Sequence, residues 1–306
     1  MTIKYLDRNF IGFQEYLDRA AKNRLSGSNL TPLYAHPIDK WILGTLNATP
    51  IKATMNKAID AYVSFQFGHE LASSIVIDQR SFPDLFQVLS HCANTLGIPI
   101  PHAVAKNDPT FFNAYTAGTD EYAFIHISSG LCQFYTPEEA CFVVGHECGH
   151  IAAGHMTYHT LAGMLTNAAS ARLGLIAEIL QKSAGIPLMA WSRRSEITAD
   201  RAGLLCCGDI ATAERALLRL VTGIADVNRV DIDNYLRQSR EVRKYHQLAE
   251  WREFFDSHPE IPKRIEAIRL FANSQLYYSL SGKPKPTGQT LLSREELDRQ
   301  VSKIIL

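Results

Sequence analysis

His146-Glu147-Cys148-Gly149-His150 decides how this chain is read. On an α-helix, positions i and i+4 share one face, so the two imidazoles can close on a single zinc ion. Glu147 then stands beside the metal, where a carboxylate can take a proton from water. The spacing carries this meaning only in a helix, and the upstream residues predict one. Thr136-Pro137-Glu138-Glu139 offers Thr as N-cap, Pro at the first helical position and Glu at the third, a capping box. Phe142, Val143 and Val144 lead from there into the motif.

A catalytic zinc takes three protein ligands and keeps one position open. The metzincin arrangement would need Gly at 153 and His at 156, where this chain has Ala153 and Met156. The remaining common arrangement draws a Glu from a second helix downstream. Ser192-Arg193-Arg194-Ser195-Glu196-Ile197-Thr198-Ala199-Asp200 supplies one. Glu196 and Asp200 lie four apart, on one helical face, among small residues that let two helices approach closely. Glu196 is the candidate third ligand. Asp200 is the candidate acceptor for the far nitrogen of a ligand histidine, which would fix its tautomer. Beside Arg193 and Arg194, the same pair also reads as a solvated charged face. His155 and His159 repeat the i,i+4 spacing with no carboxylate between them. His155 reads as packing near the site and His159 as a surface or core residue. Cys148 points off the ligand face and reads as packing.

Around these motifs the elements predict an α+β chain, mostly helical, with a small sheet just before the zinc helix. Strands are expected over residues 72–78, 102–105, 112–115 and 122–127, where apolar runs are separated by Asn, Asp and Gly turns. Helices are expected over 81–96, 188–207, 211–221, 231–255 and 263–270. A helical hairpin spanning 160–182 and 188–207 would turn at Gly185-Ile186-Pro187. Three parts follow: a helical N-terminal extension (1–70), a central domain (71–280), and a linker with a capped C-terminal helix (281–306).

Composition narrows the classes. The 306 residues are 46% hydrophobic and 20% charged, ordinary for a globular protein, and Lys+Arg and Asp+Glu both total 31. No basic excess points to nucleic acid. The N-terminal residues lack the apolar core of a signal peptide. The 6 cysteines form no CxxC pair, which reads as free thiols in a reducing compartment, the cytoplasm. Residues 151–171 carry no Asp, Glu, Lys or Arg, about the length of a spanning helix. Their His, Thr, Tyr and Asn content argues for a buried or amphipathic helix instead, with no integral membrane span expected. Peripheral membrane contact through residues 160–180 is the alternative.

Taken together, the motifs resemble the HtpX-like zinc metallopeptidases, which include the CAAX prenyl proteases. Four elements carry the resemblance in order: Asn113-Ala114, the His146–His150 motif, Ser192 to Glu196 with Ala199-Asp200, and His258-Pro259 followed by Arg264-Ile265. They span roughly residues 75–272, half to two thirds of the chain, and the first seventy and last thirty residues lie outside the resemblance. The resemblance implies a zincin-like fold and a gluzincin site, with one zinc on His146, His150 and Glu196 and Glu147 as general base. It implies that Asn113-Ala114 lies on an edge strand that pairs with an extended polypeptide substrate. It also implies that His258 stabilises the oxyanion, with Arg264 as a second candidate. In some relatives a histidine in this region instead caps the zinc in a latent state. Two departures stand out: there are no strongly apolar spanning helices, and Cys148 occupies a position where the family usually has an aliphatic residue. The expected activity is that of a zinc endopeptidase. The alternative is a zinc-bearing, chaperone-like protein that binds polypeptide without cleaving it.

Overall fold

A computed structural model describes residues 73–110, 112–119, 122–160, 185–245 and 259–305, with residues 18, 32–37 and 39 of the N-terminal part. Most described residues are helical, and the strands form one small mixed sheet. In chain order the elements are β1 (Ile75–Val76), α1 (Pro83–Leu96), β2 (His102–Lys106), β3 (Ala114–Gly118) and β4 (Ala123–Ser128). Then come α2 (Ser129–Phe134), α3 (Pro137–Ala152), α4 (Gly185–Cys207), α5 (Ile210–Thr222), α6 (Ile232–Tyr245), α7 (Ile261–Ala272), α8 (Gln275–Ser281) and α9 (Arg294–Ile304).

The sheet order is β1-β2-β4-β3. β2 and β4 run parallel, with Val104 opposite His126, whereas β1 and β3 are antiparallel to their neighbours. Among the described residues β3 is therefore an outer strand, and it touches α3. β1 is shorter than the sequence predicts. The Asp78 carboxylate accepts from the backbone N–H groups of Arg80 and Ser81, turning the chain before a longer strand can form.

α3 starts as its capping box requires. Thr136 accepts from the Glu139 N–H and Glu139 accepts from the Thr136 N–H. The Glu139 side chain also pairs with Arg219 of α5 at 3.0 Å, tying the helix start to the core. α3 is nearly all buried, and α4 is its principal neighbour. Glycine makes that approach possible. A Cβ on Gly149 would lie 2.6 Å from the Ala202 Cβ, and one on Gly145 would lie 2.7 Å from the Cys206 Cβ. Gly149→Val is expected to force the two helices apart. It should lower unfolding free energy by about 1–3 kcal/mol, read by urea denaturation.

Two expectations are revised. Gly185-Ile186-Pro187 is not a turn but helical, part of α4. The strand expected from residue 112 starts at Ala114, because the Asn113 side chain accepts from the Ala114 N–H and occupies that donor locally. α2 and α8 were not foreseen; both are single-turn-scale helices capped by Ser128 and Ser274. The first arm of the expected hairpin (160–182) lies almost wholly outside the described residues, as does most of 1–70. α3 itself stops at Ala152, and Gly154 takes a left-handed φ of 70° before helical residues resume at 156. Among the described residues, no helix is long and apolar enough to cross a membrane.

The described N-terminal residues dock on α4 and α9. Arg201 of α4 donates to the Tyr34 carbonyl (3.0 Å), and Arg294 of α9 donates to the carbonyls of Leu33 and Ala35. The His36 N–H donates to Thr198 Oγ1 at 3.1 Å. Burial, and then the Arg201 cation, push the His36 pKa down from 6.5 to about 4. A folded-state pKa below the unfolded one gives stability that is complete above pH 6.5 and lost as pH falls toward 4. Metal-free protein should lose stability across that window by on the order of 3 kcal/mol from this residue. His36→Gln should flatten the slope, measured by denaturant titration at each pH.

Candidate metal centre

α3 and α4 bring the two halves of the site together. His146 Nε2 and His150 Nε2 lie 3.2 Å apart, one helical turn apart on the same face of α3. Glu196 of α4 presents Oε2 at 3.4 Å from His146 Nε2 and Oε1 at 3.3 Å from His150 Nε2. A tetrahedral zinc with ligand distances near 2.0–2.1 Å has ligand–ligand edges of roughly 3.3–3.4 Å. Each of the three separations is close to such an edge, with the two imidazoles facing different oxygens of the one Glu196 carboxylate, and two imidazoles with one carboxylate suit zinc chemically. Among the described residues these three side chains are the one group placed to hold a metal ion, and all are buried. Glu196 is thus no solvated face; its relative exposure is 0%.

The surroundings explain how such a charged cluster tolerates burial. His146 Nδ1 lies 2.9 Å from Asp200 Oδ1, the geometry in which Nδ1–H donates and Nε2 is turned to the ligand triangle. Asp200 in turn receives two hydrogen bonds from Arg264 of α7, Nε at 2.8 Å and Nη2 at 2.6 Å. Burial alone would raise the Asp200 pKa, but the Arg264 cation holds it below the usual carboxylate value. Burial likewise disfavours a charged His146, yet Glu196 and the Asp200 hydrogen bond prevail and raise its pKa to about 10. Burial drives His150 well below its ordinary value. The metal-free cluster therefore holds a proton on one imidazole, and a dication competes with that proton.

Glu147 faces the outer strand of the sheet. Thr116 Oγ1 of β3 donates to Glu147 Oε2 at 2.5 Å. Thr116 stands two positions along β3 from Ala114, hence on the same face of the strand. Asn113 and Ala114 lie where β3 begins, with the Asn113 carbonyl accepting from the Ser128 N–H. Arg264 is committed elsewhere: its Nε and Nη2 are on Asp200, and Nη1 is 3.5 Å from Glu196 Oε2. His258 lies outside the described residues; Pro259, next to it, is buried. Cys148 is fully buried in the apolar core.

Two participants, His159 and Thr116, escaped the sequence reading, and His155, read as packing near the site, is in direct contact with a ligand candidate. His159 is neither a plain surface nor a plain core residue: its Nε2 lies 3.1 Å from Glu196 Oε1, and its ring stands 4.3 Å from that of His150. His155 contacts His150, with the two Nδ1 atoms 3.0 Å apart. Thr116 had no signal beyond its place in an alternating strand. A faint signal existed for the histidines, since His150, His155 and His159 fall at spacings that a helix broken at Gly154 can fold back on itself.

Comparisons with known proteins agree with this geometry. One relative, the plastoglobule-localized metallopeptidase 48 (chloroplastic) of Arabidopsis thaliana, is 27% identical over 215 residues. The alignment covers 69% of this chain and 62% of that protein, so this chain spans less than two thirds of the relative's length. The profile of peptidase family M48 matches residues 79–272, well over half of the chain and the whole of the α3–α4–α7 cluster just described. This chain belongs to peptidase family M48.

Proposed function

We propose that the chain is a zinc-dependent metalloendopeptidase, with one zinc ion on His146, His150 and Glu196 and Glu147 as general base. The observation that carries this reading is the buried cluster of His146, His150 and the Glu196 carboxylate, whose nearest ligand-atom separations are 3.2–3.4 Å, with Glu147 beside it. A zinc ion there would supply Lewis-acid polarisation of the scissile carbonyl and a water of lowered pKa. Glu147 takes the proton of the attacking water and passes it to the leaving amine. Thr116 holds one Glu147 oxygen and leaves the other for that proton. An extended polypeptide adds alongside β3 at Asn113 and Ala114, using main-chain hydrogen bonds for affinity. Arg264 acts mainly by holding Asp200 and Glu196; its Nη1 is the atom left to face a developing oxyanion, a role shared with His258.

We treat residues 71–280 as the peptidase unit, flanked by 1–70 and 281–306. The 6 cysteines are all free, which favours a reducing compartment such as the cytoplasm. The partner is a polypeptide substrate, with no role for nucleic acid. The test is cleavage of casein by purified protein, abolished by 1,10-phenanthroline and restored by zinc. Zinc-loaded protein that binds casein but leaves it intact would replace this reading with the polypeptide-holding one. Flotation with liposomes would reveal peripheral membrane binding.

A further inference from the structure

The two ligand histidines are supported differently. His146 Nδ1 meets a carboxylate directly, at Asp200. His150 Nδ1 meets another imidazole, the Nδ1 of His155, at 3.0 Å. His155 Nε2 in turn lies 2.7 Å from Oδ2 of Asp39. Asp39 comes from the N-terminal part of the chain, 116 residues from His155 and outside the matched family region. It is fully buried, as are His155 and Trp191. The Trp191 indole N–H donates to Asp39 Oδ1 at 2.9 Å, and the Thr198 hydroxyl donates to Oδ2 at 2.9 Å. Both come from α4, the helix that carries Glu196.

We propose that Asp39 and His155 are positioning residues of the metal centre, a two-step relay from an N-terminal carboxylate to His150. The inference rests on the zinc site of the preceding reading. The donor and acceptor arithmetic leaves one arrangement. A metal on His150 Nε2 puts that ring's proton on Nδ1, which donates to His155. His155 Nδ1 must then accept, so its own proton is on Nε2 and donates to Asp39. Asp39, acceptor only, takes all three donors: His155, Trp191 and Thr198. The N-terminal residues are thus part of the site's construction. They set the His150 ring and its tautomer, while Asp200 and Arg264 set those of His146.

Asp39→Asn tests this with almost no change of shape. Trp191 Nε1–H can only donate, so it keeps the amide oxygen at the Oδ1 position and turns the amide nitrogen toward His155. His155 must then accept at Nε2 and carry its proton on Nδ1, where it opposes the His150 N–H. Zinc affinity, measured by chelator competition, is expected to fall about 10–100-fold. Adding Trp191→Phe frees the amide to flip and should recover most of that loss, which a merely structural role for Asp39 does not predict. In zinc-loaded wild type labelled with 15N-histidine, His155 should show the Nε2–H tautomer; this readout needs no variant to fold. An Nδ1–H tautomer at His155 would overturn the proposal. So would a folded Asp39→Asn protein with wild-type zinc affinity, even if the wild type cleaves casein normally. A wild type that takes up no zinc overturns this proposal and the peptidase reading together.

Discussion

Glu147→Gln protein is expected to retain one zinc per chain while its casein turnover falls by roughly 10²–10⁴-fold. Glutamine keeps the length of the side chain and can still accept from the Thr116 hydroxyl, whose oxygen lies 2.5 Å from the native carboxylate. What it cannot do is take a proton. Glu147 is not one of the three atoms of the ligand triangle, so metal content should stay at the wild-type level. Metal analysis and a turnover assay on the same preparation separate the two effects. Full turnover with glutamine in place would remove Glu147 as the base and, with it, the hydrolytic mechanism.

Glu196→Ala should lose the metal outright. It deletes the one carboxylate of the ligand triangle and leaves the Arg264 Nη1 and the His159 Nε2, 3.5 and 3.1 Å from Glu196 oxygens, facing a void in a buried site. Zinc affinity should fall further than the roughly 10–100-fold typical of losing an outer partner. Removing one member of a buried charge cluster also destabilises by about 3–5 kcal/mol. The expected result is therefore no zinc by metal analysis together with a lower unfolding midpoint. Asp200→Asn offers a contrast: it should weaken zinc while keeping some, because the ligand atoms themselves remain.

The site was legible to different depths for different residues. His146, Glu147 and His150 sit within one helical turn, and a local pattern with a capping box announces both the helix and the face. Glu196 was legible one step less directly. Nothing local distinguishes a ligand from a solvated carboxylate, and only the packing of Gly145 and Gly149 against Ala202 and Cys206 brings α4 within ligand distance. Arg264 illustrates the limit from the other side. The sequence offered it only as a candidate oxyanion group, and nothing local reveals that two of its nitrogens are bound to Asp200. His155 was read as packing near the site and His159 as a surface or core residue, because no carboxylate lies between them; their partners arrive from elsewhere, Asp39 for one and Glu196 for the other.

The strand and helix boundaries tell the same story at smaller scale. Periodicity located the strands, but Asp78 and Asn113 trimmed them by offering the backbone a nearer hydrogen-bond partner than the sheet. Pro187 read as a turn because proline breaks helix interiors, and it lies instead within α4.

By itself, the sequence determined the chemistry of α3: a capped helix carrying two imidazoles and a carboxylate on spacings that bond geometry alone dictates. It also determined the choice against a histidine third ligand, through Ala153 and Met156. The sequence named Glu196 and Asp200 as candidates through their i,i+4 spacing, but only the tertiary structure decided that they meet His146 and His150. It also decided that Arg264, Thr116 on the outer strand, and Asp39 through His155 gather around them. These contacts cross tens to more than a hundred residues, and helix periodicity holds no information about which elements meet. They exist because two glycine-bearing faces pack closely enough to exclude water, so that every buried charge must find its partner in space rather than along the chain.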